Sequence, residues 1–362
     1  MQEICSEMYE EKLNEMAGRA VIPEKKAAAE CRRRWDALAK PIDGLGKFEN
    51  MVVKIAAAQG TSDVRTDRRA AVIMCADNGV TDEGVTQTDR SVTKAVSEAI
   101  VNGTSTVNVI AEKTGTDVFA VDIGIDVDGP LPGAIDKKMG RLTGNIAEGP
   151  AMSRETACRA VLAGIETAEM MSERGYDMLA AGEMGIGNTT PSSAIASVML
   201  GMDPVEATGR GAGLSGDSYR HKIEVVKRAI YVNKPDRDDP IDVVSKIGGF
   251  DIAGMAGLYI GGAIYRIPVV ADGLISCVAA LLAKKICRVS TGYMLASHMG
   301  REPAFEKLIE ALELDPVIHG GMALGEAAGA VMLFPLLDCA VELYRHGESF
   351  TDIEIESYER FR

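Results

Sequence analysis

Short apolar runs that stop abruptly at polar residues recur along the chain, and stretches with helical spacing lie between them. Ala70-Ala71-Val72-Ile73-Met74-Cys75 empties into Ala76-Asp77-Asn78-Gly79. Val118-Phe119-Ala120-Val121 ends at Asp122, Asp177-Met178-Leu179-Ala180-Ala181 at Gly182-Glu183, and Pro268-Val269-Val270 runs into Asp272-Gly273. Runs this short and this apolar, bounded by turn residues, predict strands buried on both faces. Helical patterns fill the gaps, over 154–173 and 219–231 for example. Residues 1–60 read as helical, with Met51, Val52, Ile55 and Ala56 on one stripe and a loop at 40–46. Residues 280–346 read as helices, and 347–362 as a polar, acidic end or a short helix.

Strands alternating with helices predict an α/β fold, a parallel sheet with helices on both faces. Ligands of such sheets bind beyond the carboxyl ends of the strands. Each apolar run ends there in Asp, Glu, Asn or Gly, so the chemistry is expected at those ends.

Composition narrows the function class. The chain has 362 residues and a formal net charge of −14. That balance argues against a nucleic-acid surface, which needs Lys and Arg to displace counterions. It leaves room for a small phosphate ligand held by backbone N–H groups and one or two local cations. No apolar run reaches the roughly 20 residues of a membrane span, and residues 1–30 read as a polar helix rather than a targeting signal. The seven Cys contain no C-x-x-C pair, which points to reduced, mostly buried thiols and a cytoplasmic protein. The four His show no metal-ligand spacing. Asp77, Asp122 and Asp272 at strand ends have the chemistry for Mg²⁺, but single carboxylates there more often cap backbone or bind substrate.

Three segments carry the candidate chemistry. Gly182-Glu183-Met184-Gly185-Ile186-Gly187-Asn188-Thr189-Thr190-Pro191 follows a strand and opens a helix. Its glycines allow close backbone approach, and the new helix start attracts an anion. No Lys follows the last Gly, so it is not a Walker loop; the plain alternative is a capped strand–helix turn. Thr208-Gly209-Arg210-Gly211-Ala212-Gly213 precedes Arg220, His221 and Lys222. Cations beside a Gly turn suit a phosphate, although they also suit the surface of an amphipathic helix. In Gly320 to Ala330 a single carboxylate, Glu326, sits within an apolar run. Burial would raise its pKa and make it a better general base near neutrality; otherwise it reaches solvent at a helix end. Ser297-His298 lacks a G-x-S-x-G elbow, which argues against a hydrolase triad.

Together these motifs resemble the nicotinate-nucleotide–dimethylbenzimidazole phosphoribosyltransferase family, in its order, from about Trp35 to Leu343. The resemblance is carried by Lys40-Pro41 with Gly44-Leu45-Gly46, Cys75 to Val80, Glu83-Gly84-Val85, Gly149 to Ser153, Gly182 to Thr190, Gly248 to Ile252, Asp272-Gly273 and Leu324-Gly325-Glu326. It implies a Rossmann-like large domain at 66–285 and a small helical domain from both chain ends, 1–65 and 286–362. It also implies a dimer with sites at the subunit interface and no metal or organic cofactor. Glu326 would be the general base, taking the N–H proton of an incoming aromatic base as nitrogen attacks C1′ of nicotinate mononucleotide. Glu183 would support the ribosyl centre. Gly185, Asn188, Thr189, Gly211 and Lys222 match positions around the ribose phosphate, and Asp77, Thr88, Val96 and Leu324 match positions around the acceptor base.

The sequence departs from the family at several of these places. Asn78 replaces a histidine, Thr88 a serine, Val96 a glutamine, Ala323 an arginine and Gly300 a serine, and Ala327-Ala328 replaces Gly-(Ser/Thr). Losing a polar partner in a base pocket costs roughly 1–3 kcal/mol, enough to reorder acceptors. The expected acceptor is therefore dimethylbenzimidazole or a related base, with phenol or p-cresol in a two-subunit complex as the alternative. A supporting paralogue in a hetero-dimer, or an unrelated nucleotide-binding protein sharing only the Gly turns, are the readings from other classes.

Overall fold

Among the described residues six strands, all parallel, form one sheet: β1 (Arg69–Ala76), β2 (Thr116–Gly124), β3 (Ile135–Asp136), β4 (Met178–Met184), β5 (Val269–Ala271) and β6 (Met294–Ala296). The computed structural model describes residues 2–211 and 213–360. The strand order is β3-β2-β1-β4-β5-β6. The chain thus starts in the middle, builds outward through β2 and β3, returns beside β1 and builds the other way. β1 and β4 flank the point where the winding reverses, the place where open parallel sheets hold ligands.

The period of two along β1 explains both layers. Ala70, Val72, Met74 and Ala76 point into a core shared with the helices Arg154–Glu173, Phe250–Tyr265 and Leu274–Ile286. Ala71, Ile73 and Cys75 point into a second core shared with Lys25–Ala37, Lys47–Gln59, Thr106–Thr114 and Ala328–His346. The helices from both chain ends therefore pack together on one face of the sheet. Buried Arg69 opens β1 and pairs with Asp338, pinning the last of these helices to the strand.

On the other face, Arg154–Glu173, capped by the Ser153 hydroxyl, crosses Phe250–Tyr265 at backbone contact. A methyl group at Gly164 would overlap the Gly254 carbonyl, and one at Gly257 the Val161 carbonyl. Only glycine permits that approach.

The expected strands are present within a few residues. Two were not foreseen. β3 has two residues, and β6 lies in a stretch read as wholly helical. Met294-Leu295-Ala296 is too short for a pattern of its own and is a strand because it extends the sheet beside β5. Residues 347–354 form turns rather than a helix, with a bridge from Ser349 to Leu38. Cys31, Cys75, Cys158, Cys277 and Cys287 are buried free thiols and Cys339 is exposed, while the Cys5 side chain lies outside the described residues. No described helix is long and apolar enough to cross a membrane.

Candidate active site

The carboxyl ends of β1 and β4 lie side by side, so the residues just beyond them meet. Asp77 follows β1, and its Oδ2 accepts the Asp126 N–H at 2.8 Å while Oδ1 is buried without a partner. Burial raises its pKa. Both polar atoms of the neighbouring Asn78 side chain are also buried and unpartnered. Glu183 is the penultimate residue of β4, half-buried at the floor of a cleft.

Beyond Glu183 the chain turns through Gly185-Ile186-Gly187 and enters the helix Thr189–Leu200. The Ile186 N–H is held by the hydroxyl of buried Thr93 at 3.0 Å. The Thr189 hydroxyl accepts from Lys222 Nζ at 2.7 Å. Lys222 comes from the helix Gly216–Asn233 and is only 1% exposed, and burial lowers its pKa to about 8. Gly211, at φ +53°, brings its backbone against the same pair: a methyl there would lie 3.0 Å from the Thr189 hydroxyl and 3.2 Å from Lys222 Nζ. A buried ammonium, a hydroxyl and two Gly turns converging at a helix start form a place for a phosphate.

One amide nitrogen ties two acids together. Asn188 Nδ2 donates to Glu183 Oε2 and, at 2.8 Å, to Asp251 Oδ2. Asp251 opens the helix Phe250–Tyr265 and is fully buried. Burial, reinforced by nearby Asp251, Asp272 and Glu326, pushes Glu183 up to about 8 against the Asn188 hydrogen bond. Burial also raises Asp251 to about 6. Glu183 therefore holds its proton near neutral pH.

Glu326 arrives from the far end of the chain on a tight turn. Gly325, Glu326 and Ala327 all have positive φ, at 85°, 56° and 61°, an uncommon conformation for the two non-glycines. The turn is fastened from behind: Asp272, just past β5, accepts the N–H groups of Gly329 at 2.7 Å and Ala330 at 3.1 Å. Gly325 lies close enough to Glu183 that a methyl on it would be 3.0 Å from Glu183 Oε1. Glu326 Oε2 is buried without a partner. Burial raises the Glu326 pKa, partly offset by the Val107 backbone N–H, and the Asp272 charge raises it further. Two carboxyl groups from β4 and from the 325–327 turn thus share one cleft with the phosphate-sized nest.

Glu183, Gly185, Asn188 and Thr189 line this cleft together with Gly211 and Lys222, and Thr88, Leu324 and Glu326 complete its other wall. Two expected base contacts are placed elsewhere within this chain. Asp77 is buried beneath the turn, and Val96 is half-buried in the helix Ser91–Val101, packed on the second core. Asp122 caps a loop, accepting from Gly124, Ile125 and Leu131 N–H groups and from Lys138. No group of three or more His, Cys, Asp or Glu suited to a metal occurs among the described residues. Sequence reasoning did not assign roles to Thr93, Asp251, Arg301 or Glu302. Asp251 carried a signal as the one acid in an apolar, Gly-rich helix; Thr93 carried none.

Residues 21–355 match the sequence model of a family described as phosphoribosyltransferase. The chain belongs to that family. Within it, the chain is 44% identical over 328 residues to the nicotinate-nucleotide–dimethylbenzimidazole phosphoribosyltransferase of Acetivibrio thermocellus, covering 91% of this chain and 93% of that protein. The protein of the same name from Ruminiclostridium cellulolyticum is 43% identical, with 97% and 98% covered. A crystal structure of CobT from Thermus thermophilus superposes with a TM-score of 0.86 at 35% identity, covering 91% of this phosphoribosyltransferase and 99% of that chain.

Proposed function

We propose that this phosphoribosyltransferase moves phosphoribose from nicotinate mononucleotide to dimethylbenzimidazole or a closely related base, giving an α-ribotide. The observation that carries the reading is the placement of the Glu326 turn against Glu183, beside the Thr189–Lys222–Gly211 nest. In this reading the nest holds the 5′-phosphate, which puts C1′ of the ribose between the two carboxyl groups. Glu326, with a raised pKa and a buried unpartnered oxygen, takes the N–H proton of the base as nitrogen attacks C1′ from the face opposite the departing ring. The C1′–N bond to nicotinate breaks, and the pyridine leaves with the electron pair, so the anomeric centre inverts. The donor's pyridinium carries a positive charge into a cleft of raised acids. That charge favours ionised Glu183, which then stabilises positive character growing on the ribose.

Leu324, Met322 and Val85 make part of the cleft wall apolar, which suits an aromatic acceptor. Because Ala323 on the cleft wall stands where the family carries an arginine, a phenol-accepting enzyme working with a second subunit is the alternative reading. Incubation with nicotinate mononucleotide and a panel of benzimidazoles, purines and phenols, with products read by mass, tests both. A dimethylbenzimidazole ribotide as main product supports the first. A phenolic ribotide instead supports the second, and no ribotide product from any acceptor overturns the function.

The same reading includes a homodimer. Met332, Leu336, Cys339 and Leu343 form one exposed stripe on the helix Ala328–His346. Covering such a stripe is what a subunit interface does. Light scattering should give twice the mass of the chain; a monomer at micromolar concentration would contradict it.

A further inference from the structure

We propose that Arg301 is a binding residue for the donor's phosphate, giving the nest a permanent positive charge that Lys222 alone does not supply. The ligand's identity rests on the phosphoribosyl-transfer reading above. The need for a second cation comes from a charge count around the nest.

A phosphate monoester brings about −1.5 to −2 charges at neutral pH. Lys222 is the buried cation at the nest, but burial lowers its pKa to about 8. It also faces Glu302, whose pKa burial raises, with the Lys222 charge foremost among the influences that pull it back and the Gly211 N–H adding to them. A methyl at Gly209 would overlap the Glu302 carboxylate, so this acid lies directly against the turn. Lys222 and Glu302 together leave little net charge for a dianion. Arg210 also lines the cleft and keeps its charge, but its guanidinium is held by the Leu214 carbonyl at 2.8 Å and over the Tyr219 ring at 4.8 Å.

Arg301 is different. It is exposed and lines the cleft with Lys222 and Gly211, and it also lines the adjoining depression behind the 209–213 turn. Among the described residues no carboxylate lies within ion-pair distance of its guanidinium, and no acceptor takes a hydrogen bond from it. Its charge still acts on Glu302. Arginine stays protonated at every pH where the protein is folded, and its planar fork matches phosphate oxygens. The side chain lies between the loop after β6 and the 320–325 loop, with its Cδ 3.9 Å from the space a methyl on Gly321 would fill. Arg301 thus shares one cleft with Gly211, Lys222 and Glu326.

Calorimetry with ribose 5-phosphate on the full chain at low salt tests this directly. Arg301→Ala is expected to raise Kd about tenfold or more, and Arg301→Lys to restore part of the affinity. With nicotinate mononucleotide as donor, Arg301→Ala should raise KM and leave kcat nearly unchanged. With nicotinate riboside, which lacks the phosphate, the same substitution should change nothing; a general structural defect would depress both donors. Equal ribose 5-phosphate affinity in wild type and Arg301→Ala, with wild-type turnover intact, overturns the role of Arg301 alone. Failure of the wild type to bind ribose 5-phosphate overturns this proposal and the phosphoribosyl reading together.

Discussion

Ala327 rests so closely on Gly182 that a methyl added to Gly182 would lie 2.7 Å from the Ala327 Cβ. The turn that carries Glu326 is therefore seated directly on β4, one residue before Glu183. Gly182→Ala should lift that turn. The fold should survive with a loss of about 1–3 kcal/mol, as for other overpacked sites, and turnover should fall well beyond what the stability loss explains. Urea denaturation and kcat measured on the same preparation check this, and an unchanged kcat would show that the seat does not matter.

Glu326→Gln removes the proton acceptor and keeps the shape of the turn. Turnover is expected to fall at least about 10²-fold, in line with loss of a general base, while ribose 5-phosphate affinity is largely kept. Single-turnover kinetics would expose a contrary result: full activity in the variant excludes Glu326 as the base.

Burial lifts Glu183 to about 8 and Asp251 to about 6. From the ordinary carboxyl range up to those values, the folded chain holds protons that the unfolded chain has released. The native state then binds more protons, and stability falls as pH rises through the window. Tm should be higher at pH 6 than at pH 8, and Glu183→Gln should flatten that part of the profile. A Tm that climbs between those pH values, or an identical slope in the variant, would contradict the assignment.

Lys222 shifts the other way, with burial lowering it to about 8. Its positive charge fades above that pH, so ribose 5-phosphate affinity should decline from pH 7.5 to 9. Lys222→Met should bind at least about tenfold more weakly, the worth of a charge-assisted hydrogen bond, and should show little of this pH dependence. Calorimetric titration at several pH values separates the two.

Gly164→Ala tests the fold away from the chemistry. The added methyl meets the Gly254 carbonyl across the helix crossing, so stability should drop by about 1–3 kcal/mol or more. Chemical denaturation reads it, and a neutral substitution would mean that the crossing is looser than described.

The chain order of strands and helices was legible because both faces of the sheet are covered. Full burial makes β1 and β4 near-continuous apolar runs that stop where the polar loops begin. β6 was not legible, because three residues carry no period and their pairing to β5 is a long-range event. Glu183, Glu326 and Lys222 were legible through their motifs. Asn188 was visible as a turn residue, but its service to both Glu183 and Asp251 depends on a helix that starts some sixty positions later. Thr93 reads as one more polar residue of an amphipathic helix, and only the fold brings its hydroxyl to the Ile186 N–H. Val96, expected at the acceptor base from its motif position, is half-buried against the second core within this chain.

The helix Ala328–His346 has a further consequence for synthesis of the protein. Its buried face, with Phe334, Leu337 and Val341, and the Asp338 pairing to Arg69 hold the preceding turn in place. A nascent chain still lacking this segment has no seated Glu326 and leaves Ala71, Ile73 and Cys75 of β1 without the helix that covers them. Completion of residues 328–346 is thus the step at which the second core closes and Glu326 is set beside the nest.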